Sequence, residues 1–201
     1  CDAGSGKYRL GLRTYIIGAS CTSQSGFEPL INIMNSVTES TQETSQFGIL
    51  EGGNVLYVAK KDSPQAIRMI SWVGTKLPAN ATAIGKALLS DLTDEQIRDL
   101  YRDGLPKLTE HTISDMDLLL GQIEQIRCGE IATETEESTP QMRCFAVPIR
   151  QNGRVYAALS ISVPIFRYTD EKRVQICQCL REAQQQIEQL VGLYNFELIK
   201  P

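Results

Sequence analysis

The chain turns from an extended segment into a helix within residues 76–89, Lys76-Leu77-Pro78-Ala79-Asn80-Ala81-Thr82-Ala83-Ile84-Gly85-Lys86-Ala87-Leu88-Leu89. Pro78 interrupts the extended run, and Thr82 is of a residue type that caps helix N-termini. The first turn of a helix has free N–H groups and a partial positive charge, which together favour an anion. Small residues at Ala83 and Gly85 would let a ligand approach this backbone. We therefore expect the rest of the chain to build a pocket over this turn.

Strand patterns lie on both sides of this segment. Gly52-Gly53 and Asn152-Gly153 each separate two extended runs, as in tight β-hairpins. The predicted strands are Gln46 to Glu51, Asn54 to Lys60, Ala66 to Val73, Glu130 to Thr135, Arg143 to Ile149 and Val155 to Val163. Because hairpins require antiparallel pairing, a mixed or antiparallel sheet is expected.

Helical patterns alternate with these strands. Apolar residues at helical spacing begin at Phe27, a capping box begins at Thr93, and Thr169 is placed to cap a long final helix. The predicted helices cover residues 27–37, 83–90, 93–102, 114–127 and 169–194, with a weaker helical pattern in 14–22. Helices between hairpin-forming strands indicate the α+β class, with helices packed on the faces of the sheet.

The bulk composition limits the function classes. The 201 residues suit one large domain, or a domain with a short appendage, and the net charge of −4 argues against a nucleic-acid-binding surface. No apolar run approaches the roughly 18 residues needed to span a membrane, and no signal peptide is visible. The six cysteines form no regular framework, so we expect reduced thiols in a cytoplasmic protein. The chain begins with Cys1 rather than Met, which suggests a fragment or a processed product.

The sequence does not support the common catalytic or metal-binding motifs. His111 is the only histidine, and no serine lies in a nucleophile elbow. Cys177 and Cys179 are two apart on a predicted helix, so they do not share a face that could hold a metal. Gly4-Ser5-Gly6-Lys7 lacks the spacing of a phosphate-binding loop. We expect no metal and no cofactor.

Four side chains remain as candidates for binding a polar ligand. Glu134 lies at the end of a predicted strand, a position from which its side chain can point inward, whereas Glu136 and Glu137 are interpreted as a solvated turn. Cys144 lies in an alternating strand, where a small core residue is the simpler interpretation. Ser160 and Ser162 share one face of their strand, and buried hydroxyls need partners. A ligand, buried water or backbone carbonyls would each satisfy them.

Three motifs occur in an order and at distances that resemble the effector-binding domain of IclR-type transcriptional regulators. They are residues 74–89, Met142-Arg143-Cys144-Phe145-Ala146-Val147-Pro148 and Ala157-Ala158-Leu159-Ser160-Ile161-Ser162. The opening residues 6–11 resemble the last wing strand of that family's winged helix-turn-helix. The resemblance therefore divides the chain into residues 1–22, the end of a DNA-binding wing and a linker helix, and residues 23–201, the effector-binding domain.

The resemblance implies a GAF/profilin-like fold, a curved and mostly antiparallel sheet of about six strands. It also implies a ligand shell on the matching positions, with polar or backbone contacts from Ala83, Ile84, Gly85, Glu134, Cys144, Ser160 and Ser162 and an apolar wall from Met69, Leu77 and Met142. The sequence departs from the pattern at three places. Glu134 stands where relatives commonly have Asp, Asn80 replaces a frequent His, and Gln141-Met142 replaces the usual Gly-Leu before Arg-Cys.

The leading hypothesis is a regulatory domain that binds a small organic acid, a hydroxy acid or sugar acid, and is not an enzyme. The resemblance implies a homodimer or homotetramer that contacts DNA through an N-terminal domain largely missing from this chain. Two alternatives stay open. One is a small enzyme that uses Cys144 as nucleophile and Glu134 as base, and the other is a pure oligomerisation module built on the final helix.

Overall fold

The computed structural model describes residues 27–69 and 71–194. The predicted wing strand, the linker helix and the division at residue 22 lie outside these residues. Within the described ranges, no helix is long and apolar enough to cross a membrane.

Helices and strands follow the predicted order along most of the chain. The helices are α1 (Phe27–Thr41), α2 (Ala83–Leu89), α3 (Asp94–Leu100), α4 (Met116–Arg127) and α5 (Asp170–Tyr194), and short 3-10 turns cover Ala79–Ala81 and Ile165–Arg167. The strands are β1 (Thr44–Glu51), β2 (Asn54–Lys61), β3 (Lys76–Pro78), β4 (Ala132–Thr135), β5 (Met142–Gln151) and β6 (Arg154–Pro164). The fold class is therefore α+β, as predicted.

All six strands of the described residues form one curled sheet. Its order is β3-β2-β1-β6-β5-β4, and every neighbouring pair is antiparallel. Both predicted hairpins are present, and Gly52, Gly53, Asn152 and Gly153 all have positive φ, as a tight turn between twisted strands requires. The hairpin and sheet predictions are confirmed.

Two apolar cores cover the two faces of the sheet. On one face, α1 and α5 pack over strand residues such as Phe47, Phe145 and Leu159. On the other, α2 and α4 pack over Tyr57, Cys144 and Ala158. Because neighbouring strand residues point to opposite faces, this alternation decides which side chains can meet α2.

The capping predictions are confirmed as well. The Thr82 side chain accepts a hydrogen bond from the Gly85 N–H at the start of α2, and Thr93 forms a capping box with Gln96. Thr169 accepts from the Lys172 N–H at the start of α5. Each cap satisfies a backbone donor that has no partner inside its own helix.

The predicted strand at Ala66 to Val73 is wrong. No strand is assigned to the described residues of this segment, and the third strand is instead the short β3. The apolar side chains that suggested a strand are largely exposed, 63% for Ile67 and 73% for Trp72. The described residues between β2 and β3 are therefore outside the sheet, and backbone hydrogen bonds join Gly74 and Thr75 to Tyr57 just before β3 begins.

Candidate functional site

The candidate site lies between α2 and the side of the sheet that α2 covers. Pairing along β5 and β6 places Cys144 opposite Ser162 and Ala146 opposite Ser160. Glu134 of β4 pairs with Cys144, and Gln46 of β1 pairs with Ser160. Four neighbouring strands thus bring buried polar side chains to one face, and the predicted shared face of Ser160 and Ser162 is confirmed.

A chain of hydrogen bonds runs across this face. The Cys144 thiol donates to Ser162 Oγ (3.3 Å), and the Ser162 hydroxyl donates to Gln46 Oε1 (3.1 Å). Gln46 Nε2 then donates to Ser71 Oγ (2.6 Å), in the loop between β2 and β3. Sequence patterns did not single out Gln46, although a glutamine at an inward strand position was a signal that could have found it.

Glu134 points inward, as predicted, and is only 2% exposed. Its carboxylate accepts hydrogen bonds from the Glu137 N–H (2.8 Å) and the Ser138 hydroxyl (3.1 Å), and it also lies against the Cys144 thiol. Burial raises the pKa of Glu134 above its ordinary value, and these hydrogen bonds offset part of that rise. Within the described residues, no cation pairs with this carboxylate.

The solvated-turn interpretation of Glu137 is wrong. Its carboxylate is buried and accepts a hydrogen bond from Lys86 Nζ at 2.5 Å, and the Lys86 side chain is fully buried. The Ile113 N–H lies 3.4 Å from the other carboxylate oxygen. A single lysine in an otherwise apolar helix was the sequence signal for this pair, because a buried charge requires a partner. Glu136, in contrast, is partly exposed and has a positive φ.

The start of α2 is more tightly packed than the sequence suggested. The Gly85 N–H is already bonded to Thr82 Oγ1 (3.0 Å). A Cβ at Gly85 would lie 2.2 Å from the Ala79 carbonyl oxygen, so this glycine allows the backbone of the preceding turn to approach. The Ile84 side chain contacts the sheet above Gly48. Ala83 and Ile84 are both buried and lie in the core beneath α2.

The three predicted apolar residues lie in three different parts of the fold, β3, β5 and the loop between β2 and β3. Leu77 of β3 packs against the core beneath α2, and Met142 is buried at the first position of β5. Met69 is buried in the loop between β2 and β3, where it lines a groove of about 500 Å³ together with Lys60, Asp62, Arg68, Ser71, Trp72 and Val73. Of the predicted set, Met69 is therefore placed in a loop rather than in the expected strand.

The environment of Cys144 does not favour a nucleophile. Burial, and the nearby charge of Glu134, hold the pKa of the Cys144 thiol well above its ordinary value. A catalytic thiol requires the opposite shift, because the thiolate is the reactive form. Among the residues that the structure describes, no cluster of His, Cys, Asp or Glu is arranged to hold a metal ion.

Comparison with known proteins identifies the class. The family model described as "Bacterial transcriptional regulator IclR C-terminal" matches residues 27–189. The fold and this match define the ligand-binding regulatory domain of a transcriptional regulator. The chain belongs to the IclR family, and the resemblance predicted from its motifs is confirmed.

Individual relatives agree with this assignment. The chain is 31% identical to the HTH-type transcriptional regulator KdgR of Escherichia coli, over 96% of the chain and 74% of KdgR. It is 30% identical to KdgR of Dickeya chrysanthemi, over 96% of the chain and 64% of that protein, so it spans about two thirds of the relative's length. The crystal structure of an IclR homolog complexed with 4-hydroxybenzoate, from Microbacterium hydrocarbonoxydans, superposes with a TM-score of 0.78 at 25% identity, covering 93% of this chain and 77% of the other. Regulators of this family bind DNA and small-molecule effectors, and these relatives are regulators rather than enzymes.

Proposed function

We propose that this domain binds a small organic acid that carries a hydroxyl group, and that binding alters the oligomeric state and DNA affinity of the regulator to which it belongs. The observation that carries the proposal is the buried polar face formed by Glu134, Cys144, Ser160 and Ser162 beneath α2. Polar side chains are rarely grouped inside a protein core unless they form hydrogen bonds with one another or with a ligand.

The two ends of the site suit the two ends of a hydroxy acid. Glu134 is an acceptor without a paired cation, so it favours a ligand hydroxyl and repels a ligand carboxylate. The carboxylate then lies at the other end, near Ser160 and the first N–H groups of α2 at Ala83 and Ile84. The homolog from Microbacterium was crystallised with 4-hydroxybenzoate, a molecule with a carboxylate and a hydroxyl at opposite ends.

The link to oligomeric state follows from population shift. An effector that binds one arrangement of subunits more tightly than another shifts the equilibrium between them toward the first. The largest possible shift equals the ratio of its affinities for the two arrangements. We propose a homodimer or homotetramer whose subunit arrangement positions DNA-binding regions of the regulator. In this proposal the effector binds on the α2 side of the sheet. The helices α1 and α5, on the opposite face, couple effector binding to the arrangement of the subunits.

The proposal is tested by ligand-induced thermal stabilisation. A ligand present at 100 times its dissociation constant should stabilise the folded state by about 2.7 kcal/mol, because it binds the folded chain alone. The wild type and a Glu134→Asp variant, whose shorter side chain enlarges the site, are screened against small carboxylic acids with and without hydroxyl groups. The expected result is stabilisation by a subset of hydroxy acids without their consumption. If no acid shifts the melting temperature of either protein, the proposed effector class is wrong.

A further inference from the structure

A long segment without helix or strand joins α3 to α4. Residues 101–115 form this α3–α4 segment, and all of them lie in the described part of the chain. Irregular loops longer than about 12 residues are uncommon in compact domains and are usually linkers or functional elements, such as lids and binding loops. Leu108 and His111, in the middle of the segment, are exposed. The segment therefore has the length and exposure of a cover rather than of a core element.

The first half of the α3–α4 segment is bonded to the turn before α2. The Pro106 carbonyl accepts a hydrogen bond from Asn80 Nδ2 at 3.0 Å, in the turn that leads into α2. Leu105 and Ile113 of the segment pack against the apolar core beneath α2, and Cys144 belongs to the same core. The segment therefore lies on the same side of the sheet as the candidate site.

The second half of the segment is bonded to the turn between β4 and β5. The Thr109 hydroxyl donates to the Glu136 carbonyl oxygen at 2.6 Å. The Thr112 hydroxyl donates to the Glu137 carbonyl oxygen, also at 2.6 Å. This turn adjoins the site, because the Glu137 N–H donates to the Glu134 carboxylate at 2.8 Å. The two threonine–carbonyl bonds therefore hold the segment against the end of the site that contains Glu134.

An effector can reach the buried polar face only if part of the surrounding structure opens. The polar side chains of the proposed site are each 7% exposed or less: Glu134, Cys144, Ser160 and Ser162. The helix α2 is poorly suited to open, because all of its residues are buried and Lys86 is paired with the buried Glu137 carboxylate. The α3–α4 segment is held largely by single hydrogen bonds, each of which contributes little net free energy. Irregular, partly exposed elements of this kind open locally while the rest of the fold stays intact.

We propose that the α3–α4 segment is the lid of the effector site and that the Thr109 and Thr112 hydroxyls are its latch. The inference rests on the proposed function and adds the route by which the effector enters. Opening breaks the two threonine–carbonyl bonds and moves the Ile113 N–H away from the Glu137 carboxylate oxygen, 3.4 Å from it in this structure. Gly104, whose φ is +100°, is the hinge beside α3. Thr109 and Thr112 are positioning residues, because they hold the lid and do not touch the effector.

The accessibility of Cys144 measures lid opening without knowledge of the effector. When the lid closes faster than the reagent reacts, iodoacetamide labels the buried thiol at a rate proportional to the open fraction. Mass spectrometry then gives a separate rate for each cysteine. Exposed Cys128 is the internal standard, because its labelling requires no opening.

Four proteins are compared: the wild type, Thr109→Val, Thr109→Ser and Thr41→Val. Valine removes the hydroxyl and keeps the branched shape of threonine, whereas serine keeps the hydroxyl. Thr41 is the control residue, because its hydroxyl donates to the Val37 carbonyl at 2.7 Å in α1, on the opposite face of the sheet. Loss of that bond should not release the lid.

Thr109→Val should label Cys144 roughly fivefold faster than the wild type, the ratio expected for the loss of about one net hydrogen bond, with the rate at Cys128 unchanged. Thr109→Ser and Thr41→Val should stay within about twofold of the wild-type rate, because the latch is intact in both. No increase in Thr109→Val would overturn the lid. An equal increase in Thr109→Val and Thr41→Val would also overturn it, because labelling would then follow global unfolding.

Hydrogen exchange of the same four proteins gives a second measurement. Residues 101–115 should exchange roughly fivefold faster in Thr109→Val than in the wild type, while exchange in α2 is unchanged. Exchange of the segment and of α2 at one common rate would show that the segment opens only with the whole fold, and the inference would fail. If labelling and exchange both show the opening but no acid stabilises the protein, the lid stands and the effector class proposed above is wrong.

Discussion

The Lys86–Glu137 pair allows a sharp stability prediction. Lys86→Met removes the cation and leaves the buried Glu137 carboxylate with the Ile113 N–H as its remaining hydrogen-bond donor among the described residues. Breaking one side of a buried pair typically costs about 3–5 kcal/mol, because the remaining charge is neither paired nor hydrated. For a chain of this size, each kcal/mol lowers the melting temperature by about 2–4 °C, so the expected loss is roughly 6–20 °C.

The double variant Lys86→Met/Glu137→Gln should recover most of that loss. The glutamine oxygen can still accept from the Ile113 N–H, and no unpaired charge remains. Replacing both members of a buried pair is often close to neutral, so the coupling between the two positions is expected to exceed about 2 kcal/mol. Urea unfolding followed by circular dichroism, applied to the wild type, Lys86→Met, Glu137→Gln and the double variant, measures the four free energies of unfolding that this coupling requires.

An exposed ion pair supplies the control. Arg98 and Asp117 are 2.6 Å apart, but their side chains are 53% and 84% exposed. Pairs of this kind contribute at most about 1 kcal/mol, so Arg98→Met should have little effect. The reasoning is refuted if Lys86→Met costs no more than Arg98→Met, or if the double variant is no more stable than the single one.

Three further predictions concern glycine packing, thiol reactivity and pH. Gly85→Ala should destabilise the fold by about 1–3 kcal/mol through its clash with backbone, whereas Gly121→Ala in α4, where the added methyl meets nothing, should stabilise it by about 0.5–1 kcal/mol. Iodoacetamide followed by mass spectrometry should label exposed Cys128 well before Cys144, whose pKa is raised. Glu134 binds its proton more tightly in the folded state, so its contribution to stability falls as pH rises through its raised pKa. The melting temperature of Glu134→Gln relative to the wild type should therefore increase above about pH 4.5.

Each of these has a clear contrary result. Equal effects of the two glycine substitutions would show that the first turn of α2 can relax. Labelling of Cys144 at neutral pH as fast as Cys128, and abolished by Glu134→Gln, would favour the cysteine-enzyme alternative. A melting-temperature difference for Glu134→Gln that stays constant from pH 4 to pH 8 would show that this carboxyl has no raised pKa in the folded chain.

Local chemistry made much of the fold predictable. Asn152-Gly153 and Gly52-Gly53 accept the positive φ that a tight hairpin requires, so both hairpins were evident. Strand alternation then placed Ser160 and Ser162 on one face, because side chains repeat every second residue. Such features depend on a few neighbouring residues and can be recognised without knowing the rest of the chain.

The errors came from features that depend on distant parts of the chain. Apolar residues at 66–73 resemble a strand, but whether a strand forms depends on what the edge of β2 pairs with. Glu137 resembles a solvated turn residue, and only the position of Lys86, 51 residues earlier, makes it a buried partner.

A crystal structure of this chain with the hydroxy acid that stabilises it most would test the central claim most directly. The account predicts the ligand beneath α2, with its hydroxyl within hydrogen-bonding distance of Glu134 and its carboxylate near Ser160. A second groove, of about 520 Å³, lies on the outside of the fold and is lined by Gln42, Glu43, Gln65, Arg167, Thr169, Glu171, Lys172 and Gln175. Ligand density in that groove, with the space beneath α2 unoccupied, would contradict the account.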